Sequence, residues 1–279
     1  MCSSVHSWAW ESVTDSDGRT DTHFAIARAN FCDTILNFWF YFILFFFPLV
    51  GGTVGLIIQS HKTDQLKLFL AFSGAFLFSI TAVNIIPEVY HQHTNWPVGY
   101  FILAGFFLQI LIDQFSHGVE HGHLHHHSKE KKPYGIFIAL SLHAFLEGMA
   151  AGSSVFSEGI QSSFVFGIAL HEIPAAFALI TLLKASGVKR KYLYTWLFLY
   201  ASMTIIGSVS SQLTVYWIPA IKDYMVYLVA LVIGVFLHIS TTILFENTDD
   251  HKFSQRKLVA IAIGVAIALL STATHVHVH

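Results

Sequence analysis

Two stretches of the sequence, ALSLHAFLEGMAAG and FGIALHEIPAAFAL, each carry a histidine and a glutamate in otherwise apolar surroundings: His143 with Glu147, and His171 with Glu172. In hydrocarbon an ionisable side chain is expensive, about 2.5–3.5 kcal/mol at a helix centre for Asp, Lys or Arg on insertion scales. Four together therefore need a common purpose. His143 and Glu147 are four residues apart, so on a helix they leave one face, one above the other. His171 precedes Pro174, whose missing N–H leaves the Leu170 carbonyl without its helical partner. Two imidazoles and a carboxylate form a donor set suited to Zn²⁺, with coordination positions left for water. Glu172 is the fourth group of the expected set. The alternative is polar glue between two helices, and four costly residues in two consecutive segments favour the metal reading over it. Gly148, Ala150, Ala151 and Gly152 in the first stretch and Ala169, Ala175, Ala176 and Ala178 in the second predict two backbones packed closely against each other.

The elements that must hold these groups follow from composition. Of 279 residues, 54% are hydrophobic and 11% charged, and the mean hydropathy is +0.59. A soluble domain carries about 25% charged residues, so an ordinary soluble enzyme and a disordered chain are excluded. With 15 Lys+Arg against 17 Asp+Glu, no basic excess points to nucleic acid. Cys2 and Cys32 are too few for a disulfide framework. A bilayer core about 30 Å thick needs roughly 20 apolar residues per helix. Such stretches run Thr34–Gln59, Leu66–Ile86, Pro97–Phe115, Pro133–Phe156, Ser162–Leu183, Tyr192–Leu213, Tyr224–Phe245 and Leu258–Thr274. The expected fold is all-α: a polytopic membrane protein of eight transmembrane helices. Residues 1–30 read as a polar extension outside the cytoplasm and 31–279 as the membrane domain.

Lys62, Lys67, Lys129, Lys131, Lys132, Lys184, Lys189, Arg190, Lys191, Lys252, Arg256 and Lys257 all fall in the odd-numbered connections. Only Arg19, Arg28 and Lys222 fall elsewhere. The positive-inside rule puts those connections in the cytoplasm and both termini outside. Short loops and a lean outer tail point to a bacterial inner membrane.

Histidine is unusually frequent, with 18 in the chain. His117, His121, His123, His125, His126 and His127 crowd the connection 117–132, between the third and fourth spans, and read as a metal-capturing loop or as a plain solvated one. Asn84 and Glu88 near the outer end of the second span, Asp113 at the inner end of the third and His238 in the seventh are candidates for a transport path. His275, His277 and His279 in the C-terminal tail are a weaker signal.

The sequence resembles the ZIP (Zrt/Irt-like) family of metal-ion transporters. HAFLEG at His143–Gly148 is similar to the family's fourth-helix signature, and HEIP at His171–Pro174 to its fifth-helix signature. NIIPE at Asn84–Glu88 and GVFLHIS around His238 resemble stretches of the second and seventh helices. The resemblance implies an eight-helix bundle and movement of a divalent cation toward the cytoplasm. Family members commonly dimerise, so a homodimer is one assembly open to this chain, and no prosthetic group is expected. Zinc is the cargo that fits His and Glu best, with Fe²⁺, Mn²⁺, Co²⁺ and Cd²⁺ accepting the same ligands. Some members hold two adjacent metals. Here Ala144, Ala175 and Thr204 occupy positions that would supply ligands to the second, so the resemblance implies a mononuclear site of His143, Glu147 and His171, with Glu172 beside them.

An intramembrane metalloprotease needs His-Glu-x-x-His, and position 175 is alanine. A membrane zinc-dependent lipid hydrolase would need about three histidines, with His238 as the third. A metal-sensing receptor without transport is the remaining alternative. Because imidazole binds metal only when neutral, transport is expected to fall below roughly pH 6.

Overall fold

A computed structural model describes residues 22–57, 63–92, 97–116, 134–153, 155–156, 158–245 and 255–276, and among them there is no strand. The helices are α1 (Thr22–Ile57), α2, α3 (Pro97–Ser116), α4 (Tyr134–Ala151), α5 (Glu158–Ala185), α6 (Arg190–Trp217), α7 (Met225–Phe245) and α8 (Gln255–Val276). α2 comprises Thr63–Ile80, a π-helical turn Thr81–Ile85 and a last segment Ile86–Gln92. A 3-10 turn, Pro219–Tyr224, leads into α7. Seven helices among the described residues are long and apolar enough to cross a membrane. The chain is a polytopic helical membrane protein, as its composition requires.

The eighth expected span falls on α8, which at 22 residues is about 33 Å long at 1.5 Å per residue. Ile263, Ile267 and Leu270 are exposed on it, and in a membrane such a face meets lipid. The second span was expected to run to Ile86, but the helix continues past Pro87 to Gln92. Proline lacks an N–H and crowds the carbonyl four residues back. The π turn absorbs this with one extra residue, as the Ile86 N–H reaches back to the Thr81 oxygen. The fourth helix stops at Ala151, short of the expected Phe156, where Gln161 Nε2 donates to the Ala151 carbonyl at 3.1 Å.

Two compact units are present, Met1–Ile43 and Leu44–His279. In the first, Phe38, Trp39 and Phe42 make ring contacts along one helix. The second is organised by close helix pairs. A Cβ at Gly148 would strike the Thr204 carbonyl, and one at Gly207 the Phe145 carbonyl, so α4 and α6 touch backbone to backbone. Gly105 meets Leu231 and Gly234 meets Ile102, joining α3 to α7. Gly51 meets Ile173, joining α1 to α5, and Gly264 meets Phe72, joining α2 to α8. Small residues permit this approach in a membrane.

The α4–α6 seam corrects the sequence expectation: Gly148 and Gly152 serve the sixth helix rather than the fifth. The α5 alanines 175, 176 and 178 do join Leu140 and Ala144 of α4, in an apolar cluster completed by Leu193, Leu197 and Tyr200 of α6.

A candidate metal centre at mid-helix

Three helices deliver polar groups at one depth. His143 sits at the middle of α4, His171 at the middle of α5 and Thr204 at the middle of α6. His143, Glu147, His171, Glu172 and Thr204 are all buried. α5 stays helical through Pro174, which carries His171 and Glu172 into the interior on a continuous backbone.

His143 Nε2 lies 2.8 Å from Glu147 Oε1, the contact that their four-residue spacing predicts. The rings of His143 and His171 meet edge to face with centroids 5.8 Å apart. One ligand atom from each of His143, Glu147 and His171 lies within 4.8 Å of the others. Tetrahedral zinc with bonds of about 2.0–2.1 Å holds its ligand atoms about 3.3 Å apart. The trio therefore needs to contract by about an ångström and a half at its widest to close on an ion, which side-chain rotation supplies.

Glu172 stands beside this trio rather than within it. Its Oε1 accepts a hydrogen bond from Thr204 Oγ1 at 3.5 Å, and its carboxyl also faces the Tyr200 hydroxyl and the Glu147 carboxyl. Tyr200 was not anticipated. The only signal was its place four residues before Thr204, on the same face of α6.

The residues proposed for a path are spread over two regions. Asn84 lies buried in the π turn of α2, and Glu88 half-buried one turn beyond it. Asp113 and His238 come together between α3 and α7, with His238 Nε2 3.2 Å from Asp113 Oδ2. Gln109 Nε2 donates to the other Asp113 oxygen at 2.9 Å, and Phe106 packs edge-on against the His238 ring at 5.0 Å. Sequence reasoning named Asp113 and His238 separately but missed Gln109, although it is one helical turn from Asp113. The loop histidines His117, His121, His123, His125, His126 and His127 lie outside the described residues, as do His277 and His279.

Residues 120–272 fit the model of the family described as ZIP Zinc transporter. The chain belongs to the ZIP zinc transporter family. The matched segment takes in α4 to α7 whole and most of α8, so both halves of the His–Glu centre fall inside it. Zinc transporter ZIP9 of Xenopus tropicalis is 27% identical over 146 residues, which cover 48% of this chain and 45% of that protein. The similarity thus spans about half the length of each. ZIP membership fits a non-enzymatic role.

Proposed function

We propose that this ZIP protein carries a divalent cation, zinc first among them, across a cell membrane toward the cytoplasm through a mononuclear site between α4 and α5. The observation that carries this reading is the convergence of His143, Glu147 and His171 on one buried point. A cation entering the bilayer must shed water, and these three groups replace part of its shell. Three protein ligands leave a position for water or an incoming group, and that keeps release possible where a closed four-ligand cage would trap the ion. Glu172, held by Thr204, supplies negative charge next to the ion and serves as the fourth group. Two alanines support a single ion: Ala144 and Ala175, which stand where ligands of a second metal would be, are packed in the apolar cluster with Leu140 and Tyr200.

Asn84 and Glu88 border the outer approach in this reading, and Asp113 and His238 the inner half of the route. The direction is the one that ZIP membership implies, and the external placement of both termini follows from the lysine and arginine distribution. The loop histidines 117–127 would gather metal on the cytoplasmic side. The lean loops favour a bacterial inner membrane, and a homodimer is the assembly proposed.

Metal uptake into proteoliposomes tests the proposal. The doubly substituted His143→Ala/His171→Ala protein is expected to lose uptake by at least about 100-fold, since even outer-shell changes at metal sites cost 10–100-fold. Unchanged uptake would remove the site.

A further inference from the structure

The short turn between α5 and α6 carries four cations in eight residues, Lys184, Lys189, Arg190 and Lys191, all exposed. Two lysines that follow helix carbonyl ends have local work. Lys184 Nζ reaches the Leu56 carbonyl at the end of α1 at 3.4 Å, and Lys257 Nζ the Leu244 carbonyl at the end of α7 at 3.0 Å. Cations at helix C-termini are matched to the negative end of the dipole. Lys189, Arg190 and Lys191 are placed the opposite way. They gather at the N-terminus of the 28-residue α6, the positive end of its dipole, with no acidic residue in the first turn and no side-chain cap. Among the described residues no carboxylate pairs with any of the three. Positive charge is thus concentrated on a point that repels it, and an external anion is what relieves that.

The turn is also built to hold those charges in place. Gly187 adopts a left-handed conformation with φ of 82°. The N–H groups of Gly187 and Val188 close the end of α5 onto the carbonyls of Lys184 and Leu183 at 3.1 Å each. Val188 packs on the apolar cluster that includes Leu183 and Leu193. On the α6 side the exposed rings of Tyr192 and Tyr194 flank the cations, and the Lys191 ammonium lies 4.8 Å from the Tyr192 ring centre. Exposed tyrosines at the end of a membrane helix mark the headgroup level.

We infer that the α5–α6 turn docks the phosphate headgroup of an anionic phospholipid of the cytoplasmic leaflet, held by Lys189, Arg190, Lys191 and the first N–H groups of α6. The inference rests on the proposed orientation, because anionic lipid is enriched on the cytoplasmic side. It does not depend on the metal site. The turn joins the helix bearing His171 to the helix bearing Thr204, so an occupied turn braces the two against each other.

The test is binding of phosphatidylglycerol with a fluorescent acyl chain to the full-length protein in neutral detergent. Saturable binding is expected, weakening steeply as salt rises from about 50 to 300 mM. The Lys189→Gln/Arg190→Gln/Lys191→Gln protein should bind about 100-fold more weakly, because each cation near a lipid surface contributes about fivefold. Lys189→Arg with Lys191→Arg should bind within about threefold of the parent. If the triple variant does not stay folded, Lys189→Gln alone should weaken binding about fivefold. The inference fails if the parent protein takes up phosphatidylcholine equally well, or if it binds no phosphatidylglycerol. It fails too if the glutamine variants bind as the parent does, or if inorganic phosphate at matched concentration displaces the lipid.

Discussion

His143, Glu147 and His171 meet between α4 and α5, and Gln109, Asp113 and His238 meet between α3 and α7. Both groups contain histidine and carboxylate inside a membrane bundle, yet their hydrogen-bond arithmetic differs. In the α3–α7 group a single carboxylate faces two donors: the Gln109 amide takes one oxygen and the His238 ring the other. Each oxygen of that carboxylate thus has a partner of its own. In the α4–α5 group two carboxylates and two imidazoles share the space. A neutral imidazole offers one donor and one acceptor, and an ionised carboxylate only acceptors. Thr204 and Tyr200 add two hydroxyls, which leaves acceptors in surplus. A buried acceptor surplus is stabilised by a cation. That imbalance, rather than the presence of histidine, separates the proposed metal centre from a clamp between helices.

Substitutions can break this contrast. The largest effect is expected from Glu147→Gln, which removes the charge of the trio while conserving shape. Metal uptake should fall about 100-fold with little change in thermal stability. Gly148→Ala comes next, since its methyl group would collide with the Thr204 backbone. The α4–α6 seam must open, and the melting temperature and uptake should fall together. Gly167→Ala is its control, because a Cβ there meets Phe76 at 3.4 Å, an ordinary contact, and neither quantity should move. Thr204→Val leaves Glu172 without that hydroxyl donor, and uptake is expected to drop about tenfold, within the range for second-layer groups at metal sites. His238→Ala is the mildest for transport. It deprives Asp113 of one donor at a site 13% exposed, and should cost about 1–3 kcal/mol of stability. The midpoint for metal should stay within about threefold of the parent's. A larger loss of metal affinity than of stability at His238 would put both clusters in one class.

Much of the fold was legible because hydrocarbon is an unforgiving solvent. Runs of apolar residues of bilayer length have few alternatives to a helix, and each expected span fell on an observed helix, seven of them among the described residues long and apolar enough to cross a membrane. The ends were less legible. Pro87 reads as a terminator, yet a π turn carries α2 through it, and this depends on packing that no local pattern encodes. The candidate centre drew notice for a similar reason, since His143, Glu147, His171 and Glu172 stand out against apolar neighbours, and three of them, His143, Glu147 and His171, converge. Pairing was not. Small residues announce a close approach without naming the partner, so Gly148 and Gly152 were assigned to α5 when they meet α6. Tyr200 was invisible because a tyrosine in a span looks like any other aromatic residue, and its place beside Glu172 comes from the α5–α6 geometry.

Zinc K-edge X-ray absorption reads the central claim most directly. The protein should first have His117, His121, His123, His125, His126 and His127 replaced by alanine, so that the loop contributes no signal. The account predicts one zinc per chain with two imidazole nitrogens and oxygen from a carboxylate at about 2.0–2.1 Å, and loss of the imidazole signature in His143→Ala/His171→Ala. Zinc retained in that double variant with its two-imidazole shell unchanged would contradict it.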